Sequence, residues 1–152
     1  LFQVIPDSVS LTRGQSLARG VARHFSSLGW VSIEELAPVR GLRVDVMALG
    51  PKDEIWVIEC KSNLADFRSD RKWGRYLEWC DRFFWAVDTR FPIDELPKIT
   101  GLMIGDAYNS EIIRMGPETK MASSRRKGIV HKFAVNAARR LHEIRDPIAG
   151  LQ

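Results

Sequence analysis

The stretch RVDVMALGPKDEIWVIECK, from Arg43 to Lys61, decides how this chain is read. Arg43 to Leu49 and Ile55 to Lys61 are rich in Val, Ile, Leu and Met, and Gly50-Pro51-Lys52-Asp53 supplies turn chemistry between them. The pattern predicts a β-hairpin. A turn centred on Lys52 pairs Leu49 with Ile55, Met47 with Val57 and Asp45 with Glu59. Side chains alternate along a strand, so this register puts Asp45, Glu59 and Lys61 on one face, with the two carboxylates opposed.

Like charges side by side repel, and a divalent cation turns that repulsion into binding. Hard carboxylate donors suit Mg²⁺, with Mn²⁺ as the alternative. Lys61, two residues beyond Glu59, would point into the same pocket as a positive charge. A solvated ribbon could use the same residues as a plain cross-strand salt bridge. The apolar neighbours Trp56, Val57, Ile58 and Cys60 argue instead for a central strand covered on both faces.

The spacing D-x(13)-E-x-K on consecutive strands resembles the signature of the PD-(D/E)xK nuclease superfamily, with Val44 where that signature has Pro. The longer segment from Gly41 to Val87, the stretch GLMIGDAYNSEIIR and the basic run Ser124-Arg125-Arg126-Lys127 resemble the MmcB-like family of bacterial DNA-repair-associated proteins within it. The resemblance covers most of the chain. It implies an α/β fold: a restriction-endonuclease-like αβββαβ core with a mixed central sheet flanked by helices, plus an extra β-hairpin and a C-terminal helix. It also implies a metal-dependent DNA endonuclease or repair nuclease. Asp45, Glu59 and the main-chain carbonyl of Cys60 would hold Mg²⁺, and Lys61 would position or deprotonate the attacking water. A third acid commonly comes from the first helix or the next strand. The first helix has none, which leaves Glu34 or Glu35, and the resemblance favours Glu35. The alternative function is an accessory repair protein that binds nucleic acid and cleaves it weakly or not at all.

The rest of the chain is read around this hairpin. Thr12 to Leu28 carries Leu17, Val21 and Phe25 at helical spacing, with Thr12 as N-cap and Gly29 as stop. Trp30 to Leu36 reads as a strand, Asp66 to Cys80 as a helix with Trp73, Tyr76, Leu77 and Cys80 in its apolar stripe, and Arg82 to Val87 as a fourth strand. Ser62-Asn63 caps the helix between them. Gly101 to Asp106 and Glu111 to Met115 form a second hairpin around Tyr108-Asn109-Ser110. Met121 to Ile144 is a terminal helix with Ile129, Phe133, Ala137, Leu141 and Ile144 on its apolar face. Trp73, Trp79, Trp85, Phe83 and Phe84 are expected in the core.

Composition bounds the rest. With 152 residues, 45% hydrophobic and 28% charged, residues 1–152 fit one compact nuclease-like domain. No apolar run approaches a membrane span, residues 1–10 lack signal-peptide regions, and Cys60 and Cys80 lack metal-site spacing; a cytoplasmic protein with reduced cysteines is expected. His24, His131 and His142 match no metal spacing either. Charge is uneven: Lys120 to Arg145 carries a balance of +7 against +4 for the whole chain. Arg125, Arg126 and Lys127 there, and Arg68, Arg71, Lys72 and Arg75 after Lys61, are the expected contacts to DNA phosphates. Oligomeric state is left open, a homodimer included.

Overall fold

The computed structural model describes residues 10–148; the residues read for a signal peptide lie, except Ser10, outside them. The chain forms one six-stranded mixed sheet flanked by helices, with strands in sequence order β1 to β6. Helix α1 (Arg13–Ser27) starts where expected, because Thr12 and Gln15 close a capping box: the Gln15 N–H donates to Thr12 Oγ1 and the Thr12 N–H to Gln15 Oε1. It stops at Gly29, whose φ of +76° suits glycine.

Strands β1 (Val31–Val39), β2 (Leu42–Leu49) and β3 (Ile55–Cys60) run antiparallel in turn. The β2–β3 ladder has the expected register, with Leu49 opposite Ile55 and Met47 opposite Val57, and its last pair is Val46 with Ile58. Strands β4 (Arg82–Val87) and β5 (Gly101–Gly105) then add in parallel, and β6 (Ser110–Arg114) closes the second hairpin. β4 is central and covered on both faces: Phe84 and Trp85 each have 0% exposure.

Each face has its own core. Leu17, Val21 and Phe25 of α1 pack on Val46, Ala48, Ile58, Phe84 and Met103. On the other face Met47, Val57, Phe83 and Trp85 meet Tyr76, together with Ile129 and Phe133 of α3 (Ser123–Arg145). No helix among the described residues is long and apolar enough to cross a membrane.

Two expected elements differ. Asp66 to Cys80 is not one helix: α2 spans Leu64–Ser69, the chain extends at Asp70, and a 3₁₀ helix follows over Trp73–Trp79. Asp70 causes the break, because its Oδ1 accepts the N–H groups of Lys72 (2.8 Å) and Trp73 (3.1 Å) in place of helical carbonyls. Leu77 consequently faces solvent. In α3 the apolar pattern outruns the sheet: Ile129 and Phe133 are buried, Ala137 is exposed, and Leu141 and Ile144 are 57% and 75% exposed. A helix of 23 residues is about 35 Å long, more than the β1–β2 ribbon beneath it can cover.

The start of α3 is fixed by a buried ion pair. Asp81 is 6% exposed, and its carboxylate accepts the N–H groups of Ile55 and Met121 and both arms of Arg126 (2.7 and 2.6 Å). Farther along, Lys132 donates to the carbonyl of Pro38, and Arg140 to those of Glu34 and Glu35. These contacts cover carbonyls of the edge strand β1, a common protection against strand addition.

Candidate active site

Beyond the pair Val46 and Ile58, side chains take over from the β2–β3 ladder. The Asp45 N–H donates to Oε1 of Glu59 (2.9 Å), and the Cys60 N–H donates to Oδ2 of Asp45 (2.8 Å). Each carboxylate thus replaces a ladder carbonyl of the opposite strand, which fixes both acids on rigid backbone. The second oxygens, Oδ1 of Asp45 and Oε2 of Glu59, have no hydrogen-bond donor among the described residues. Asp45 and Glu59 line a cavity of about 610 Å³, together with Glu34, Glu35, Lys61 and Asp70.

Electrostatics marks this pair as short of positive charge. Burial and then the neighbouring Asp45 push the Glu59 carboxyl up to about 9, and burial also raises Asp45. Two bare charges are therefore disfavoured on this pair, and a proton is favoured. A divalent cation would compete for the same place, and the donor set fits Mg²⁺, which takes one or two carboxylates and keeps several waters. Among the described residues no group of three or more His, Cys, Asp or Glu side chains has metal-cage geometry. The Cys60 side chain packs in the α1-face core, and burial pushes its thiol well up, leaving the main-chain carbonyl as its expected donor.

Lys61 lies at the cavity but is not free. Its Nζ is 2.8 Å from Oδ2 of Asp70, with both side chains about nine-tenths buried, and 5.9 Å from the ring centre of Trp85. Burial pulls its pKa down, but Asp70, Asp66 and Glu59 outweigh that and raise it. Lys61 is therefore held protonated. Of its two expected roles, orienting a water suits this state and deprotonating one does not.

Glu34 and Glu35 part company. Glu35 has φ +55°, in the left-handed region, and its exposed carboxylate lies 4.0 Å from Arg43. Glu34 is half-buried, and its pKa is raised by burial first, then by Glu35 and also by Asp45. Glu34 thus feels Asp45; the family resemblance favours Glu35. The twist at Glu35 goes with a break in side-chain alternation: Ile33 and Leu36 of β1, and Val44 and Met47 of β2, all serve the same core face.

A family described as DNA repair protein MmcB-like matches residues 4–148. The chain belongs to this family. A solved structure, the SPO1766 protein of unknown function from Silicibacter pomeroyi, shares 63% identity with it; the match covers 91% of this chain and 95% of that one, with a TM-score of 0.90. No curated protein matches the chain.

Seen on this MmcB-like fold, the residues expected to hold DNA phosphates divide. Arg71, Lys72 and Arg75 are exposed, with no carboxylate in ion-pair range among the described residues, and Lys72 lines the cavity. Arg68 is exposed and meets Glu95 at 3.4 Å. Lys127 is exposed, while Arg125 donates to the Glu78 carbonyl and stacks 4.5 Å from the ring centre of Trp79. Arg126 is engaged instead: its guanidinium donates to Asp81 and to the Asp53 carbonyl. Trp73 and Trp79 are part-buried and pack against the α3-face core. Sequence reading missed Asp70, Asp81 and Tyr76, whose hydroxyl donates to the Arg43 carbonyl beside the cavity. For Asp70 a signal existed, since an Asp ahead of Arg-Lys-Trp can cap a new turn as well as sit in a helix.

Proposed function

We propose that this MmcB-like protein is a divalent-metal-dependent DNA repair nuclease built on a restriction-endonuclease-like core, hydrolysing phosphodiester bonds. The observation that carries this reading is the Asp45–Glu59 pair: one half-buried and one buried carboxylate held by reciprocal backbone bonds, each with an oxygen that accepts no hydrogen bond from the described residues, in two residues that line an open cavity.

Asp45, Glu59 and the Cys60 carbonyl would hold Mg²⁺ or Mn²⁺, with Glu34 as a candidate third ligand among the further acids of the cavity. The ion would supply Lewis-acid stabilisation of the phosphate charge. Lys61 offers a fixed ammonium to a phosphate oxygen or a water, and Asp70 sets its position. Arg71, Lys72 and Arg75 supply phosphate contacts beside the cavity.

The deciding experiment is cleavage of branched, single-stranded and duplex DNA with Mg²⁺ and with Mn²⁺, run beside calorimetric titration of Mn²⁺. Wild type is expected to cleave at least one substrate and bind Mn²⁺; Asp45→Asn is expected to lose both. Equal Mn²⁺ binding by the two proteins would remove the metal site. DNA bound but left intact would support the accessory role instead.

The choice of third acid has its own test. Glu35→Gly should leave Mn²⁺ affinity unchanged and keep or raise stability by up to ~1 kcal/mol, because glycine relieves the left-handed backbone at some cost in chain entropy. Glu34→Gln should weaken Mn²⁺ about tenfold, as loss of one distant acidic charge does (~1.4 kcal/mol). The reverse pattern in calorimetry would return the role to Glu35.

A further inference from the structure

On the sheet face opposite α3, helix α1 carries Arg13, Arg19 and Arg23 and no Asp or Glu. Arg19 and Arg23 are one turn apart. Both guanidiniums lie over the ring of Tyr108, their carbons 5.5 and 5.8 Å from its centre. Tyr108 stands at the tip of the β5–β6 hairpin and is 69% exposed. Neither arginine has a carboxylate in ion-pair range among the described residues.

An exposed aromatic side chain at a hairpin tip is usually free to move, but this one is fixed from below. Asp106 Oδ1 accepts the N–H groups of Tyr108 (2.8 Å) and Asn109 (3.1 Å), so this carboxylate is engaged by the turn itself. Ser110 Oγ donates to the Gly20 carbonyl (3.3 Å), and a Cβ at Gly20 would lie 1.8 Å from the Asp106 carbonyl oxygen. Only glycine lets the tip seat so closely on α1. The result is an exposed ring on a fixed turn beside two guanidiniums that have no carboxylate partner among the described residues.

We infer that Arg19, Tyr108 and Arg23 form a binding site for unpaired DNA, with a base stacked on Tyr108 and the adjoining phosphates on the two arginines. Guanidinium forks match phosphate oxygens, and an aromatic face accepts any base that is not already stacked. Bases inside a duplex present only their edges, so the site selects single strands, gaps or flaps. Thr12, Gly14 and Gln15 at the start of α1 line the Asp45–Glu59 cavity, so a strand lying along this helix ends at that site. The inference rests on the DNA-binding part of the proposed function and deepens it, naming unpaired DNA as the substrate class.

The test is fluorescence anisotropy of the full chain in chelator, with an oligo-dT strand and a duplex of equal length as probes, over a range of salt. Tyr108→Ala is expected to weaken oligo-dT binding about tenfold or more, with Tyr108→Phe near wild type and duplex binding unchanged. Arg19→Gln with Arg23→Gln should lower the slope of log K against log salt for oligo-dT by about 1.4, two phosphates at ~0.7 each. All these side chains are at least part-exposed, and a thermal melt confirms that each variant is folded. Wild-type oligo-dT affinity in Tyr108→Ala would overturn the inference, as would equal losses on single strand and duplex. If all α1 and Tyr108 variants bind like wild type while Arg71→Gln with Arg75→Gln does not, this site falls and the DNA reading stands. If wild type binds neither probe, both fall.

Discussion

Glu59→Gln is expected to raise the stability of the metal-free protein at pH 8 on the order of 3 kcal/mol and to change it little at pH 5. Burial and Asp45 lift the folded-state pKa of Glu59 from 4.5 to about 9. Between those values the folded protein holds a proton that the unfolded chain has released. Stability from this group is thus greatest below about pH 4.5 and is lost as pH rises through about 9, at up to ~1.4 kcal/mol per pH unit. Glutamine is neutral at every pH, its Oε1 can still accept the Asp45 N–H, and its amide can donate to Asp45. Thermal melts in chelator at the two pH values read the difference. Adding Mn²⁺ at pH 8 should then stabilise wild type and not the variant, because the ion binds only the charged pair of the folded state. A stability difference that does not vary with pH would mean that Glu59 carries no proton at the site. Loss of several kcal/mol at both pH values would make Glu59 a structural ion-pair partner.

The second large effect is on the far side of the sheet. Arg126→Ala should cost about 3 kcal/mol, at the low end of the range for breaking a buried ion pair, because Asp81 keeps the N–H groups of Ile55 and Met121 when both guanidinium arms are gone. Arg126→Lys should recover only part of that, since one ammonium cannot replace two parallel donors. The same pair shapes the acid limb. Burial raises the Asp81 pKa, but Arg126 and the two backbone donors outweigh it and set it below 3.8. Its stabilisation is complete above that value and disappears as pH falls through the lower folded pKa. Asp81→Asn should therefore flatten acid unfolding as well as destabilise the protein near neutrality. Urea melts of the variants at pH 7 and 3 check both. A loss below ~0.5 kcal/mol in Arg126→Ala would show a surface pair of ordinary weight and restore Arg126 to the phosphate-binding set. If the larger value holds, charge reversal across Arg125, Arg126 and Lys127 reports unfolding before it reports DNA binding.

Local pattern alone determined the framework of this protein. The turn at Gly50 to Asp53 fixed the β2–β3 register as far as Val46 and Ile58, next to which Asp45 and Glu59 meet through side-chain bonds, and Thr12 with Gln15 set the start of α1. These features follow from neighbours in sequence or across a tight turn, where spacing dictates geometry. Partners distant in sequence were decided only by the tertiary structure. Asp70 reaches back to Lys61 and breaks a helix to do so; Asp81 and Arg126 meet across 45 residues; Glu34 is half-buried and Glu35 exposed where β1 passes through a left-handed residue. A basic run looks the same in sequence whether its charges face water or a buried carboxylate. Burial and the arrival of a remote acid separate the two, and both come from packing, which local periodicity does not encode.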